Sequence, residues 1–403
     1  MSKKIVLIAL IVLIPFLISS QSKQFVNQLP TLGWYGVPPS ESTVARFTEQ
    51  KDSGITYNFS FYENQEEVSL ALDKAAEAGI KIIISCPELE KMTEQVVKRF
   101  MNHPALGGYF LKDEPGSNEF AVLGEWVGKI QSLDSKHICY INLYPNYAPA
   151  SALGTNTYKE YINQFIQKVP VQLLSFDFYP IIESGLGKRI IREGWYENLE
   201  VISGEAVKAK KKFWAFALLT KHGAYPKPTL AEIRLQVFTN LAYGAQGIEY
   251  FTYWTPGDGN DKSIKGVIDN VTREKTDIYY MVTDVNNDLR NLSKVFYNSE
   301  VISVRHMGNI IPQGTKKLEV LPKNFKLLDT NGKNVIISQL QNGNNMYLVL
   351  VNKDFENKID VTVQLNSSSL KRILNNGSSV SLRKGRSVVA VDPGDVLIYT
   401  WKK

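Results

Sequence analysis

LGGYFLKDEP, residues 106–115, is a short apolar run that ends in two acids and a proline. Its centre, Tyr109 to Leu111, has strand character, and Pro115 cannot donate into a ladder, so the chain must turn away after Glu114. Runs of the same kind lie on both sides. LGWYGVP from Leu32, ITYNFSFY from Ile55 and IKIIISCPE from Ile80 precede it; ICYINLYP from Ile138, LLSFDFYP from Leu173, FWAFALLT from Phe213 and GIEYFTYWTP from Gly247 follow. Helical stretches separate them, such as Gln65 to Ala78 with apolar residues at Val68, Leu70, Ala71 and Ala75. Eight strand-helix units within roughly 250 residues predict an α/β fold of the (β/α)8 TIM-barrel type. An open doubly wound sheet is the alternative, but none of the early turns carries the GxGxxG that cradles a dinucleotide.

The barrel is expected over residues 25–300, closed by an amphipathic helix around Thr276 to Phe296 that follows the loop PGDGNDKSIKG. From about Lys316 the pattern changes to short β runs with Asn-Gly and Asp-Pro-Gly turns. Residues 316–403 are therefore read as a small all-β, sandwich-like domain packed on the barrel.

Lys3 and Lys4 precede an apolar run from Ile5 to Ile18 and the small residues Ser19 and Ser20. This reads as a secretory signal peptide over residues 1–20, the run being shorter than the roughly 20 residues a bilayer span needs. The expectation is an exported protein, periplasmic or extracellular, with no integral membrane span after cleavage. The net charge of +6 is spread over 46 basic and 40 acidic residues with no long basic block, which argues against nucleic acid as a partner. Cys86 and Cys139 are placed at opposite ends of different strands and are expected to be free thiols; no His or Cys spacing implies a metal, and no cofactor is implied.

Barrels of this type place their chemistry at the C-terminal ends of the strands. Asp113 and Glu114 stand there on the fourth run, and Asp177 stands there on the sixth, in the segment FDFYP. Two carboxyl groups are what glycoside hydrolysis requires, one to protonate the leaving oxygen and one to attack carbon or activate water. Glu114 is the candidate acid/base and Asp177 the second carboxylate, with Asp113 positioning substrate or raising the Glu114 pKa. The bland alternatives are a surface ion pair for Glu114 and, for Asp177, a buttress that orients Lys112 or Arg234. Aromatic residues crowd the same ends: Trp34, Tyr35, Tyr62, Tyr144, Tyr179, Tyr253 and Trp254. They suit the flat faces of sugars, although barrel cores also fill with aromatics whatever the function. Glu249 falls early in its run, at the N-terminal face, and is assigned to stability; Thr229 and Glu232 form a capping box opening a helix; Asp258 and Asp261 overhang the mouth and are held in reserve.

GGYFLKDEP, followed by strands ending in DFYP and YFTYW, resembles the clan A glycoside hydrolases, most nearly the beta-galactosidase-like barrels around family 42. The resemblance covers roughly Leu32 to Trp254. It implies a glycosidase acting on carbohydrate, with Glu114 at the acid/base position of the family's Asn-Glu-Pro motif. Two departures stand out. Asp113 replaces the Asn, and the seventh strand, where the family carries its nucleophilic Glu, ends Ala217-Leu218-Leu219-Thr220 without an acid. Beside the expectation of a glycoside hydrolase therefore stand a non-catalytic glycan-binding barrel that has lost the nucleophile and a scaffold whose β domain docks another surface protein.

Overall fold

The computed structural model describes residues 28–185, 187–257, 264–367 and 369–403. Residues 1–20, and with them the expected signal peptide, lie outside the described residues, as do Asp258 and Asp261.

All eight apolar runs contain a strand. They are β1 (Thr31–Trp34), β2 (Tyr57–Phe59), β3 (Lys81–Ile84), β4 (Leu106–Asp113), β5 (Ile138–Leu143), β6 (Leu173–Phe176), β7 (Lys212–Leu218) and β8 (Ile248–Phe251). Each pairs in parallel with its neighbours, and β1 pairs with both β2 and β8, so the sheet closes on itself. The doubly wound alternative is excluded by that closure. The helices between strands have caps written in the sequence. Asn64 accepts from the backbone of Glu66 and Glu67 to open Gln65–Ala78, and Gly79 ends that helix at φ +76°. Its buried face is Val68, Ala71, Leu72 and Ala75, whereas Leu70 points to solvent. In β4 the pair Gly107-Gly108 lets neighbours close in; a Cβ on Gly108 would stand 2.5 Å from Ile138 Cγ1.

Inward-facing side chains fill the lumen. Leu32, Trp34, Phe59, Ile83, Phe110, Tyr140, Trp214, Phe216 and Leu218 form one cluster there, so the barrel is packed rather than hollow. Helices Asp277–Asn291 and Ser293–Phe296 complete the wall; Asn286 accepts from the Tyr250 hydroxyl and donates to Ser53 O, tying the end of the barrel to its beginning.

The β domain begins earlier than the sequence pattern suggests, because Glu300–Met307 already pairs antiparallel with Val335–Asn342. That strand alternates apolar and polar residues too loosely to stand out. The domain is a six-stranded sheet facing a three-stranded one, made of Phe325–Asp329, Ile359–Leu365 and Gly385–Val391. Alternation gives the larger sheet two buried faces. Val335, Ile337, Leu348 and Leu350 pack toward the smaller sheet, while Ile336, Leu340, Val349 and Val351 join the core of the barrel. Helix Leu230–Ala242 lies between that sheet and β7 and is buried along nearly its whole length.

Candidate active site

Three carboxyl groups gather at the barrel mouth from two strand ends. Asp113 closes β4, and Glu114 follows in a left-handed backbone conformation at φ +45°. For a residue with a Cβ that conformation costs about 1–2 kcal/mol. The turn is held from both sides: Glu114 N donates to Asn142 O at 2.8 Å, and the Tyr161 hydroxyl donates to Pro115 O at 2.7 Å. So held, Glu114 stands beside Asp177, which follows β6, near enough for its charge to act on the Asp177 carboxyl. Asn142, near the end of β5, lies alongside. Its Nδ2 donates to Asp113 Oδ1 at 3.0 Å and to Asp177 Oδ1 at 3.3 Å.

Burial and the adjacent Asp113 charge push the Glu114 carboxyl up to about 7. Burial raises Asp177 well above the usual carboxylate range, and the charges of Glu114 and Asp113 raise it further. Neighbouring buried carboxyls ionise together only at high cost, so the pair holds on to a proton toward neutral pH. Neither cation considered as a partner for Asp177 reaches it. Lys112 pairs with Glu119 at 2.8 Å, and Arg234 pairs with Asp288 at 2.8 Å and Asp395 at 3.3 Å. Arg189 instead reaches Glu232 at 2.6 Å, in addition to the capping box that Glu232 forms with Thr229.

Glu249 is not at the N-terminal rim but inside the lumen, fully buried. Its Oε1 accepts from the Tyr140 hydroxyl at 2.5 Å, and its Oε2 lies 2.8 Å from Ser175 Oγ. Ser175 Oγ is in turn 3.0 Å from Asn142 Oδ1. A polar thread therefore runs from the barrel interior to the carboxyls at the mouth. Asn142 and Ser175 were missed in the sequence; the signal was a polar residue inside an otherwise apolar strand.

The aromatic residues divide. Tyr35 and Tyr144 are half-buried at the mouth, where Tyr35 feels the charge of Asp113 and Tyr144 that of Glu114. Trp34 is corrected to a floor residue: it is 4% exposed and wedged among Phe59, Phe110, Tyr140 and Phe216, with ring centroids 4.5–5.9 Å away. Tyr179 is likewise covered, by Phe216, Tyr225, His222 and Phe251. Tyr253 is corrected outright. The chain turns after β8, and Tyr253 lies on the outer side of β1 beside Gln50, with no exposure. Trp254 is nearly buried between Arg46 and Arg273, whose guanidinium carbons are 5.5 and 5.8 Å from its ring centre; its edge lines a side pocket with Tyr35. At the end of β2 the open ring is Phe61, 47% exposed, and not Tyr62. Strand parity explains this, since Phe59 and Phe61 share the lumen side.

A cavity of about 1340 Å³ forms a cleft beside the mouth, between a hairpin (Ile181–Glu183 and Arg189–Ile191) and β-domain loops around Asn309, Asn334 and Phe355. Tyr147 joins the two spaces: it lines the cleft, carries Arg192 over its ring at 3.5 Å, and packs on Phe178 next to Asp177. Cys86 and Cys139 are buried free thiols. Among the described residues no group of His, Cys, Asp or Glu is arranged to hold a metal ion, and no helix is long and apolar enough to cross a membrane.

The family described as beta-galactosidase, glycoside hydrolase family 42, matches residues 146–292, a stretch that includes Asp177 and β6 to β8 but not Glu114. Among solved structures, the fold is similar to the beta-galactosidase of Bacillus circulans sp. alkalophilus, with a TM-score of 0.61 and 10% identity over 93% of this chain and 99% of that one. A family 42 beta-galactosidase of G. stearothermophilus gives 0.60 and 9% over 94% and 99%. The beta-galactosidase of the psychrophilic Marinomonas ef1 gives 0.49 and 12%, and the match spans 66% of this chain and 60% of that one. No curated protein matches the chain. The fold is thus a (β/α)8 barrel with an added β domain, similar to that of these beta-galactosidases.

Proposed function

We propose that the protein is an exported glycoside hydrolase that cleaves an oligosaccharide or polysaccharide with retention of configuration. The observation that carries the reading is the gathering of Glu114 and Asp177 at the barrel mouth, where the Glu114 charge helps to raise Asp177 and Asn142 donates to Asp177 and Asp113. We read retention from that closeness, since retaining pairs stand roughly 5–5.5 Å apart and inverting pairs about 6.5–9.5 Å, with a water admitted between them. Glu114 is assigned the acid by its place at the end of β4 before Pro115, and Asp177 the carboxylate; since Asp177 is raised further than Glu114 in the free protein, bound substrate has to shift the shared proton to Glu114. Asp177 attacks the anomeric carbon while Glu114 gives its proton to the departing oxygen. A water then displaces Asp177 from that carbon and yields its proton to Glu114. Asp177 so stands in for the acid absent from the end of β7. Tyr35, Tyr144 and Phe61 supply open rings at the entrance, and the cleft that Tyr147 shares with the mouth gives a longer glycan somewhere to lie. Export rests on the residues at the N-terminus alone, Lys3, Lys4 and the run Ile5 to Ile18.

The test is release of reducing sugar from a panel of plant, host and microbial glycans, together with 4-nitrophenyl β-D-galactoside. Turnover of at least one supports the reading. Binding of a glycan without turnover of any would favour the second reading, a glycan-binding barrel, for which the missing acid on β7 is the specific observation.

Asp113 sets the working pH in this mechanism. Its charge is among the causes that raise Glu114, so Asp113→Asn is expected to lower the pKa of the proton donor and move the alkaline limb of kcat/KM to lower pH. A pH-rate profile with an unmoved limb would remove Asp113 from that role.

A further inference from the structure

The buried thread beneath the carboxyl pair can be read by counting hydrogens. Four short contacts call for one each: Asn142 Oδ1 to Ser175 Oγ, Ser175 Oγ to Glu249 Oε2, Glu249 Oε1 to the Tyr140 hydroxyl, and the Tyr140 hydroxyl to Ser175 Oγ. Ser175 and Tyr140 bring one apiece. If Glu249 were ionised, two contacts would be oxygens facing each other without a proton, in a buried site where that is costly. Turning the Asn142 amide over would not help, because its oxygen would then face Asp113 and Asp177, and both would have to be protonated. A neutral Glu249 that donates to Ser175 leaves one contact without its own hydrogen, Tyr140 to Ser175, whose two hydroxyls are both engaged elsewhere in the thread.

We propose that Glu249 is a neutral carboxylic acid and the positioning residue of the site: by donating to Ser175 it commits the Ser175 hydroxyl to the Asn142 carbonyl, which fixes the Asn142 NH2 on Asp113 and Asp177. This rests on the reading of Glu114 and Asp177 as the reacting pair. Burial pushes the Glu249 carboxyl up to about 8, the direction the count favours. The titratable groups facing the thread are Tyr140 on β5 and, beyond Asn142, Asp113 on β4 with Glu114 after it and Asp177 after β6.

Two variants separate the possibilities. In Glu249→Gln the amide nitrogen can donate to Ser175 while its oxygen accepts from Tyr140, so the thread survives without a titrating proton. Glu249→Leu removes it. A carboxyl whose pKa is raised by folding binds its proton more tightly folded than unfolded, so wild-type stability falls as pH rises from about 5 to 8, and the Gln variant lacks that slope. The melting temperature of the Gln variant is therefore expected to gain on wild type across this window. The Asn142 side-chain amide, followed by NMR, should stay protected from hydrogen exchange in wild type and Gln and exchange faster in Leu. On a glycoside the enzyme turns over, Gln should keep most of kcat and Leu should lose about tenfold to a hundredfold. A constant melting difference between pH 5 and 8 would show Glu249 ionised, and an Asn142 amide equally protected in all three proteins would remove its positioning role. Either result overturns the proposal. Absence of turnover in the wild type sinks the glycosidase reading instead, while the melting and exchange measurements still decide the state of Glu249.

Discussion

Glu114→Gln is expected to lower kcat by about 10²–10⁴-fold, the range associated with loss of a positioned general acid. The amide is the same size and can still meet Asp177, so folding and substrate affinity should change little. What is lost is the proton that the leaving oxygen needs. The loss should be largest for substrates whose leaving group is a sugar and smallest for 4-nitrophenyl glycosides, whose phenolate departs with little assistance. Steady-state kinetics on the two kinds of substrate checks this. Equal rates for wild type and variant on the sugar-linked substrate would remove Glu114 from the mechanism.

Asp177→Asn is expected to be at least as damaging, because among the described residues Asp177 is the carboxylate that a second strand end brings beside Glu114 to attack the anomeric carbon. The acid and the nucleophile act on one transition state, so the double variant with Glu114→Gln should lose about as much as the worse single variant, not the product of the two. Asp177→Ala, which opens space beside the anomeric carbon, gives a sharper check. Added azide should restore turnover and yield a glycosyl azide of configuration opposite to the substrate. Restored turnover that instead yields an azide of the same configuration would show that Asp177 is not the nucleophile. So would an Asp177→Asn enzyme with full activity.

The barrel was legible because its signal is repeated: eight apolar runs, each followed by a charged helical stretch, admit few other folds. Glu114 was legible because Pro115 marks the strand end, and Asp177 because an acid between two phenylalanines demands an explanation. Glu249 was misplaced for a reason of geometry. Its place in the run was read as the lower rim, but the eighth strand is only Ile248–Phe251, so its second residue already lies deep in the lumen. Which ring is open cannot be told from aromatic content. Phe61 and Tyr62 are neighbours in sequence, and only the parity of β2 sends one to the mouth and the other into the wall. Tyr253 carries the same lesson, since the turn after Phe251 puts it outside the barrel although it follows a strand end.

The six-stranded sheet of the β domain has one face in the sandwich and the other against the barrel, with Ser338 donating to Ala242 O at 2.7 Å at the end of helix Leu230–Ala242. The two parts therefore share burial that neither can complete by itself. Loss of the smaller part would strip an apolar helix that packs directly on β7, so the barrel and the β domain should melt in one cooperative transition and resist dissection by proteases into separately folded halves.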